Sequence, residues 1–348
     1  MKLLNIAATV GALAAASTIA VAADISGAGS SFAYPIYTKW AEAYKKESGV
    51  GVNYRAIGSA DGIRQVKDKT VTFAATDMPL SAADLDAGGL VQFPMLTAGV
   101  AVVVNLDGVK PGDLTLDGPT LARILLGEIK AWNDGAIRKL NPNLRLPSLR
   151  IAVVYRSDGS GTTFLFTDYV SKESPIWRAR VGSTTAVEWP VGTGAAGSDG
   201  IASSVGRMKG ALGYVEYAYV RPNKLTYAKL VNRAGNAVAP DRSSFTAAAA
   251  NADWEGAPGF RVILTNQAGA AAWPIAGATF ILMHRQPNDA AAASAALKFF
   301  AWAYAKGAGM AEELDYVPMP ANVVSSVEGT WASEIKDASG KPLFAASH

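Results

Sequence analysis

The chain has 348 residues, half of them hydrophobic and 18% charged, enough for two domains with ample material for a core. Thirty-two basic residues face 29 acidic ones, and no Lys/Arg cluster stands out, so the net charge of +3 implies neither nucleic acid nor an anionic membrane as partner. Cysteine is absent, which removes disulfides and a lipidated cysteine, and leaves the fold to its core alone.

The first 22 residues read as a secretory leader. Lys2 supplies the charge, Leu3 to Val21 is apolar and Ala-rich, and Ala20-Val21-Ala22 is a small-x-small cleavage site. The mature chain then starts at Ala23 or Asp24, in a Gram-negative periplasm. A membrane anchor is the weaker reading, because small residues crowd the end of the run and no basic stop follows.

Ile25-Ser26 opens a short strand, and Gly27 to Phe32 is a loop. Tyr34 to Lys46 has helical spacing, with Tyr37, Trp40, Ala41 and Tyr44 on one face and Pro35 in the first turn. Ser30, Ser31 and the Phe32 backbone therefore sit at a helix N-terminus. Val50 to Ile57 is a second strand, Gly58 to Gly62 a second loop, and Ile63 to Lys67 a helix. Ser59 is either an N-cap or a hydroxyl facing a ligand. Val71 to Thr76 is a strand that delivers Asp77 to its carboxyl end, where open α/β sheets place ligands; a plain turn residue before Pro79 is the competing reading.

Leu90 to Leu106 is long, apolar and β-branched, as an extended segment passing between two lobes would be. A helix over 116–126 is capped by Asp117, with Pro119 in its first turn. Ile151 to Tyr155 is a strand running into Arg156-Ser157-Asp158-Gly159-Ser160-Gly161-Thr162, and a helix follows from Thr163. This stretch organises the chain. The first N–H groups of a helix lack partners and carry the positive end of its dipole, so they attract anions. Gly159 and Gly161 admit a ligand to the backbone, Ser160 and Thr162 add hydroxyls, and Arg156 adds a planar cationic fork. Asp158 repels an anion by itself, and its sensible role is a salt link that holds Arg156. A capped polar turn accounts for the segment taken alone; two further stretches of the same type favour a ligand.

Beyond it come a Gly-rich run over 192–199, a helix over 201–208 and strands over 212–220 and 279–284. Helices over 290–306 and 323–335 complete the chain. Strands alternate with helices, so the class is α/β, with sheets expected to be mainly parallel and covered on both faces. Gly192 to Gly197 matches Gly-x-Gly-x-x-Gly, but Pro190 interrupts the strand that a dinucleotide site requires, and a flexible rim loop is the better reading. Histidine occurs only at 284 and 348, too few for the usual zinc site, and no Gly-x-Ser-x-Gly elbow supports a Ser-His-Asp mechanism. No metal or cofactor is implied.

Several stretches carry a family resemblance: Gly27-Ala-Gly-Ser-Ser-Phe32, Gly58-Ser59, Thr76-Asp-Met-Pro-Leu80, Arg156 to Thr162, Ala211-Leu-Gly-Tyr-Val-Glu-Tyr-Ala-Tyr219, Leu264-Thr-Asn-Gln267, Trp273-Pro-Ile275 and Leu297-Lys-Phe-Phe300. With these the chain resembles the periplasmic phosphate-binding proteins of high-affinity phosphate ABC transporters. The resemblance implies a type II bilobed fold with two crossover strands, one lobe from about 23–98 plus 276–348 and the other from about 99–275. It further implies that phosphate is held by Ser31, the Phe32 N–H, Ser59, Asp77, Arg156, Ser160, the Gly161 N–H and Thr162, with Asp158 supporting Arg156. The implied partners are inorganic phosphate and the inner-membrane permease and ATPase subunits, met by a monomer. Ser31 stands where relatives often have Thr, and Asp61 adds a charge where relatives have small residues; outward capping is its expected role. An exported phosphohydrolase or a receptor for sulfate, molybdate or tungstate are the alternatives. The first lacks an evident base or metal, and the second conflicts with Asp77.

Overall fold

The computed structural model of the chain describes residues 25–250 and 252–345. The leader expected over 1–22, its cleavage site and His348 lie outside the described residues. The chain opens with β1 (Ile25–Gly29), α1 (Tyr34–Ser48), β2 (Val52–Ala56), α2 (Ser59–Lys67), β3 (Phe73–Thr76), α3 (Ala82–Gly88) and the long β4 (Leu90–Val104). It continues through β5 (Thr115–Leu116), α4 (Gly118–Leu125), α5 (Gly135–Leu140), β6 (Ala152–Arg156), α6 (Gly161–Glu173) and α7 (Pro175–Arg180). Next come β7 (Thr193–Ala195), α8 (Gly197–Arg207), β8 (Ala211–Glu216), β9 (Thr226–Tyr227), β10 (Lys229–Val231), β11 (Ala237–Val238) and α9 (Arg242–Ala249). The chain closes with β12 (Ala276–His284), α10 (Ala290–Lys306), α11 (Ala308–Glu312), β13 (Val317–Pro318) and α12 (Ala321–Glu334).

One mixed sheet runs through the molecule in the order β2-β1-β3-β12-β4-β8-β6-β7. The outer joins are parallel, as the alternation of strands and helices demands. The three central joins, β3–β12, β12–β4 and β4–β8, are antiparallel. The expectation of mainly parallel sheets holds only away from the centre, because β4 and β12 are the strands that carry the chain across and back. All 15 residues of β4 are buried, which is why its sequence shows no alternation. Its first part, Leu90 to Gly99, pairs with β12, and its last part, Val100 to Val104, pairs with β8. Pro94 has no N–H to give the ladder, and the register shifts there so that Pro94 faces Phe280 and Leu96 faces Thr279.

Helix ends follow local chemistry. The α1 face Ile36, Tyr37, Trp40 and Tyr44 is buried, and Gly49 closes the helix at φ 76°. Asp117, Ser160 and Asp289 cap α4, α6 and α10 by accepting backbone N–H groups of their first turns. Four further expectations need correction. The loop expected from Gly27 begins only at Ser30, because β1 runs to Gly29 and pairs there with both β2 and β3. Helix α2 starts at Ser59, not Ile63. The strand over 212–220 stops at Glu216, whose carboxyl accepts the Ala218 N–H and starts a 3-10 turn over Tyr217–Tyr219. The Gly-rich run is an edge strand turning into α8, not a flexible loop.

Candidate functional site

The carboxyl ends of β1, β3 and β6 and the start of α2 meet near the centre of the sheet. Of the sequence-derived site residues, Ser31, Phe32, Ser59, Asp77, Arg156, Ser160 and Thr162 are all under 5% exposed there, and Asp158 is partly buried. Gly161 lies among them, and an added Cβ would come 2.6 Å from Ser59 Oγ and 2.7 Å from Asp77 Oδ2. Only a residue without a side chain lets the start of α6 approach so closely. Gly58 is constrained in a similar way. Its φ is +94°, and a Cβ would fall 2.8 Å from Asp158 Oδ2.

Asp77 ends β3 with 0% exposure. Ser30 Oγ donates to its Oδ2 at 2.6 Å, while Oδ1 is buried without a partner. Burial pushes its carboxyl up to about 7; Ser30, Thr279 and the Arg156 charge pull the other way without prevailing. Arg156 ends β6 and donates through Nε and Nη2 to the two Asp158 oxygens at 2.7 and 2.5 Å. Burial disfavours the guanidinium, but the Asp158 bonds and charge outweigh it and hold Arg156 above its ordinary value. Asp158 is itself desolvated, yet Arg156 and the Gly197 N–H at 3.0 Å keep it below the usual carboxylate range. The salt link read from the sequence is thus a two-bond fork.

The remaining donors bond to one another. Ser59 Oγ accepts the Gly161 N–H at 3.0 Å and lies 3.4 Å from the Asp77 N–H. The Phe32 N–H goes to Ser30 Oγ at 2.9 Å. Ser160 Oγ accepts the Thr163 N–H at 3.1 Å, so it acts as the α6 cap. Thr162 Oγ1 is buried with no partner. Ser31 Oγ meets Ser198 Oγ at 2.8 Å.

Ser198 belongs to a fourth helix N-terminus, that of α8, where three had been expected. The glycine run carries the signal, since it leads from a short strand into a helix start. Pro190 and a strand of only three residues obscured it. Ser30 was seen as part of the loop but not as the donor to Asp77, a contact between residues 47 positions apart. Asp61 points outward, half exposed, and pairs with Arg64 at 2.9 Å. His284 lies in β12 with Nε2 2.6 Å from Val66 O, remote from this chemistry. Among the described residues there is no His/Cys/Asp/Glu group that could hold a metal, and no helix is long and apolar enough to cross a membrane.

The arrangement is that of the bilobed, type II binding proteins: two α/β units on one sheet, crossed by β4 and β12, with helix N-termini facing one another. Residues 14–306 match a family model described as a PBP superfamily domain. The phosphate-binding protein PstS of Xylella fastidiosa (strain 9a5c) is 50% identical over 312 residues, 90% of this chain and 86% of the relative. PstS of Pasteurella multocida (strain Pm70) is 48% identical over 323 residues, 93% and 94% of the two chains. The crystal structure of the phosphate-binding protein from Stenotrophomonas maltophilia shares the fold at TM-score 0.69, with 19% identity, over 93% of this chain and 99% of that one. The chain belongs to the PBP superfamily and, within it, to the PstS family of phosphate-binding proteins.

Proposed function

We propose that the protein captures inorganic phosphate in the cleft between its two halves and delivers it, in the periplasm, to an inner-membrane ABC importer of permease and ATPase subunits. The first lobe is 23–98 plus 276–348 and the second 99–275, after removal of the leader near Ala22. The cleft is complete within one chain, which suits a monomer. Ser31, Ser59, Ser160 and Thr162 through their hydroxyls, Phe32 and Gly161 through their N–H groups, and Arg156 through its guanidinium donate to the anion. Asp158 holds Arg156. The protein binds its ligand without transforming it.

One observation carries this reading. Asp77 is a fully buried carboxyl with a free oxygen, set among donors. Its ionised form, which grows as pH rises through about 7, only accepts, so it suits an anion that still carries a proton and repels a fully ionised one. The serine and N–H groups now bonded to each other exchange those bonds for bonds to oxygen, so affinity measures the difference between the two sets.

Calorimetric titration of stripped protein at pH 7 tests the reading. Phosphate is expected to bind at micromolar or tighter, about −8 kcal/mol or better, and sulfate to give no saturable heat. Small-angle scattering is expected to show compaction with phosphate. Equal binding of both anions, or steady hydrolysis of p-nitrophenyl phosphate that co-purifies with the protein, would overturn it.

A further inference from the structure

Three successive carbonyls in the loop that enters α1 are each taken by a phenol. Tyr54 Oη donates to Ser30 O at 2.6 Å, Tyr219 Oη to Ser31 O at 2.8 Å, and Tyr316 Oη to Phe32 O at 2.7 Å. Ser31 O also receives the Tyr34 N–H at 3.3 Å. The phenols come from β2, from the 3-10 turn after β8 and from the turn before β13. In a trans peptide the N–H of the next residue points away from the carbonyl. Holding Ser31 O on one side therefore aims the Phe32 N–H at the other, toward Ser30 Oγ and Asp77, where the structure places it.

The middle phenol differs from its neighbours. Tyr54 sits on β2, beside the loop's own strand β1, and Tyr316 also reaches the loop from the first half of the sheet. Tyr219 follows β8, in the second half. Its bond therefore joins the two halves. Ser31 is gripped twice from that side, through its carbonyl by Tyr219 and through its hydroxyl by Ser198.

The turn that carries Tyr219 is itself fixed. Both Glu216 oxygens accept the Ala218 N–H, at 3.0 and 2.9 Å, and Glu216 Oε2 lies 3.1 Å from Tyr316 Oη. Tyr316 has one proton, and Phe32 O takes it at the shorter distance. Burial pushes Glu216 well above the ordinary carboxyl range, against the pull of the Ala218 N–H and Tyr316 hydroxyl bonds. Burial likewise keeps the three phenols neutral and donating.

We propose that Tyr219 is a positioning residue for anion capture: on closure it takes the Ser31 carbonyl from the opposite half and so sets the Phe32 N–H onto the ligand. The proposal rests on the phosphate reading above. Its signature is kinetic, because a bond present only in the closed form slows release and leaves encounter alone.

The test is stopped-flow binding of inorganic phosphate to the mature parent chain, Tyr219→Phe and Tyr54→Phe, with thermal midpoints taken with and without phosphate. For Tyr219→Phe, affinity is expected to fall about three- to tenfold, through faster dissociation, with the association rate within about twofold of the parent. Its midpoint without phosphate stays at the parent value. Tyr54→Phe removes a bond within one half and lowers that midpoint instead. Parent-like release from Tyr219→Phe, or a weakening matched by an equal loss of midpoint without phosphate, overturns the proposal. A parent that binds no phosphate defeats the phosphate reading and this proposal with it; a parent that binds, beside a variant that binds equally well, defeats this proposal alone.

Discussion

The turns that end β3 and β6 face each other across the site, and each contributes one carboxyl group. At the end of β3, Asp77 accepts from the Ser30 hydroxyl and is not ion-paired, and burial lifts it to about 7 against the more distant pull of Arg156. At the end of β6, Asp158 is forked to Arg156 and takes the Gly197 N–H, and it stays below the ordinary range. One residue type thus does two jobs. Asp158 is consumed in aiming a cation, while one Asp77 oxygen stays without a partner. On the proposed phosphate reading, attraction comes from the β6 side and discrimination from the β3 side. The identity of the neighbour, more than burial alone, decides which role a carboxyl takes.

The largest break in this contrast is Arg156→Ala. It removes the buried guanidinium and leaves Asp158 with its backbone partner alone, so phosphate binding is expected to weaken by about 2–5 kcal/mol. A calorimetric affinity within about twofold of the parent would place Arg156 outside the site. Gly161→Ala comes next. Its Cβ would lie 2.6 Å from Ser59 Oγ and 2.7 Å from both the Asp77 N and Oδ2, so the two turns must separate. Overpacking of this kind costs about 1–3 kcal/mol. The same titration reads the loss, and scattering is expected to show weaker compaction; unchanged binding would mean that the close approach is not part of the working site.

Asp77→Asn sharpens the comparison on the other side. The amide can donate through its NH2 and carries no charge, so sulfate gains while phosphate changes little. The ratio of phosphate to sulfate affinity is expected to fall at least about tenfold, about 1.4 kcal/mol. Paired titrations at pH 7 and fixed ionic strength check it. If sulfate still fails to bind a variant that holds phosphate well, discrimination resides elsewhere.

The smallest effect is a slope. The folded carboxyl of Asp77 is raised from 3.8 to about 7, so between those values the native state holds a proton that the unfolded chain releases. Its contribution to stability is full below pH 3.8 and is lost as pH rises through about 7. Glu216, also raised, gives a slope of the same sign, and the Asp77 charge is among the causes of its shift, so the difference between the two proteins' thermal midpoints across this window reads Asp77 together with its effect on Glu216. The parent is expected to lose more midpoint than Asp77→Asn on going from acid to neutral pH, and parallel curves would deny the raised pKa.

Local patterns made much of this legible. Loop–helix junctions at Ser31, Ser59 and Gly161 combine small residues with the onset of helical spacing, and Asp77 follows a buried strand. The apolar run of β4 announced an extended segment crossing between the two halves. Contacts that depend on tertiary approach left no local mark. Tyr54, Tyr219 and Tyr316 read as ordinary aromatic residues, yet their hydroxyls converge on three adjacent carbonyls from 24, 188 and 284 positions away. The α8 N-terminus was hidden because β7 is a three-residue edge strand, held only by its pairing with β6. The antiparallel centre was equally invisible, since a buried apolar strand looks the same in either direction.

The return of β12 to the middle of the sheet also sets an order of assembly. Phe280 pairs with Thr76, so β3 waits about 200 residues for the neighbour that covers its open edge. The stretch from β5 to α9 is uninterrupted and meets its own strands β6, β7 and β8 sooner. As the chain emerges from its N-terminus, the side that holds Arg156 can therefore fold first, while the segment carrying Asp77 stays an exposed β edge until nearly the last strand arrives. Truncation before β12 would leave that edge unpaired and prone to self-association.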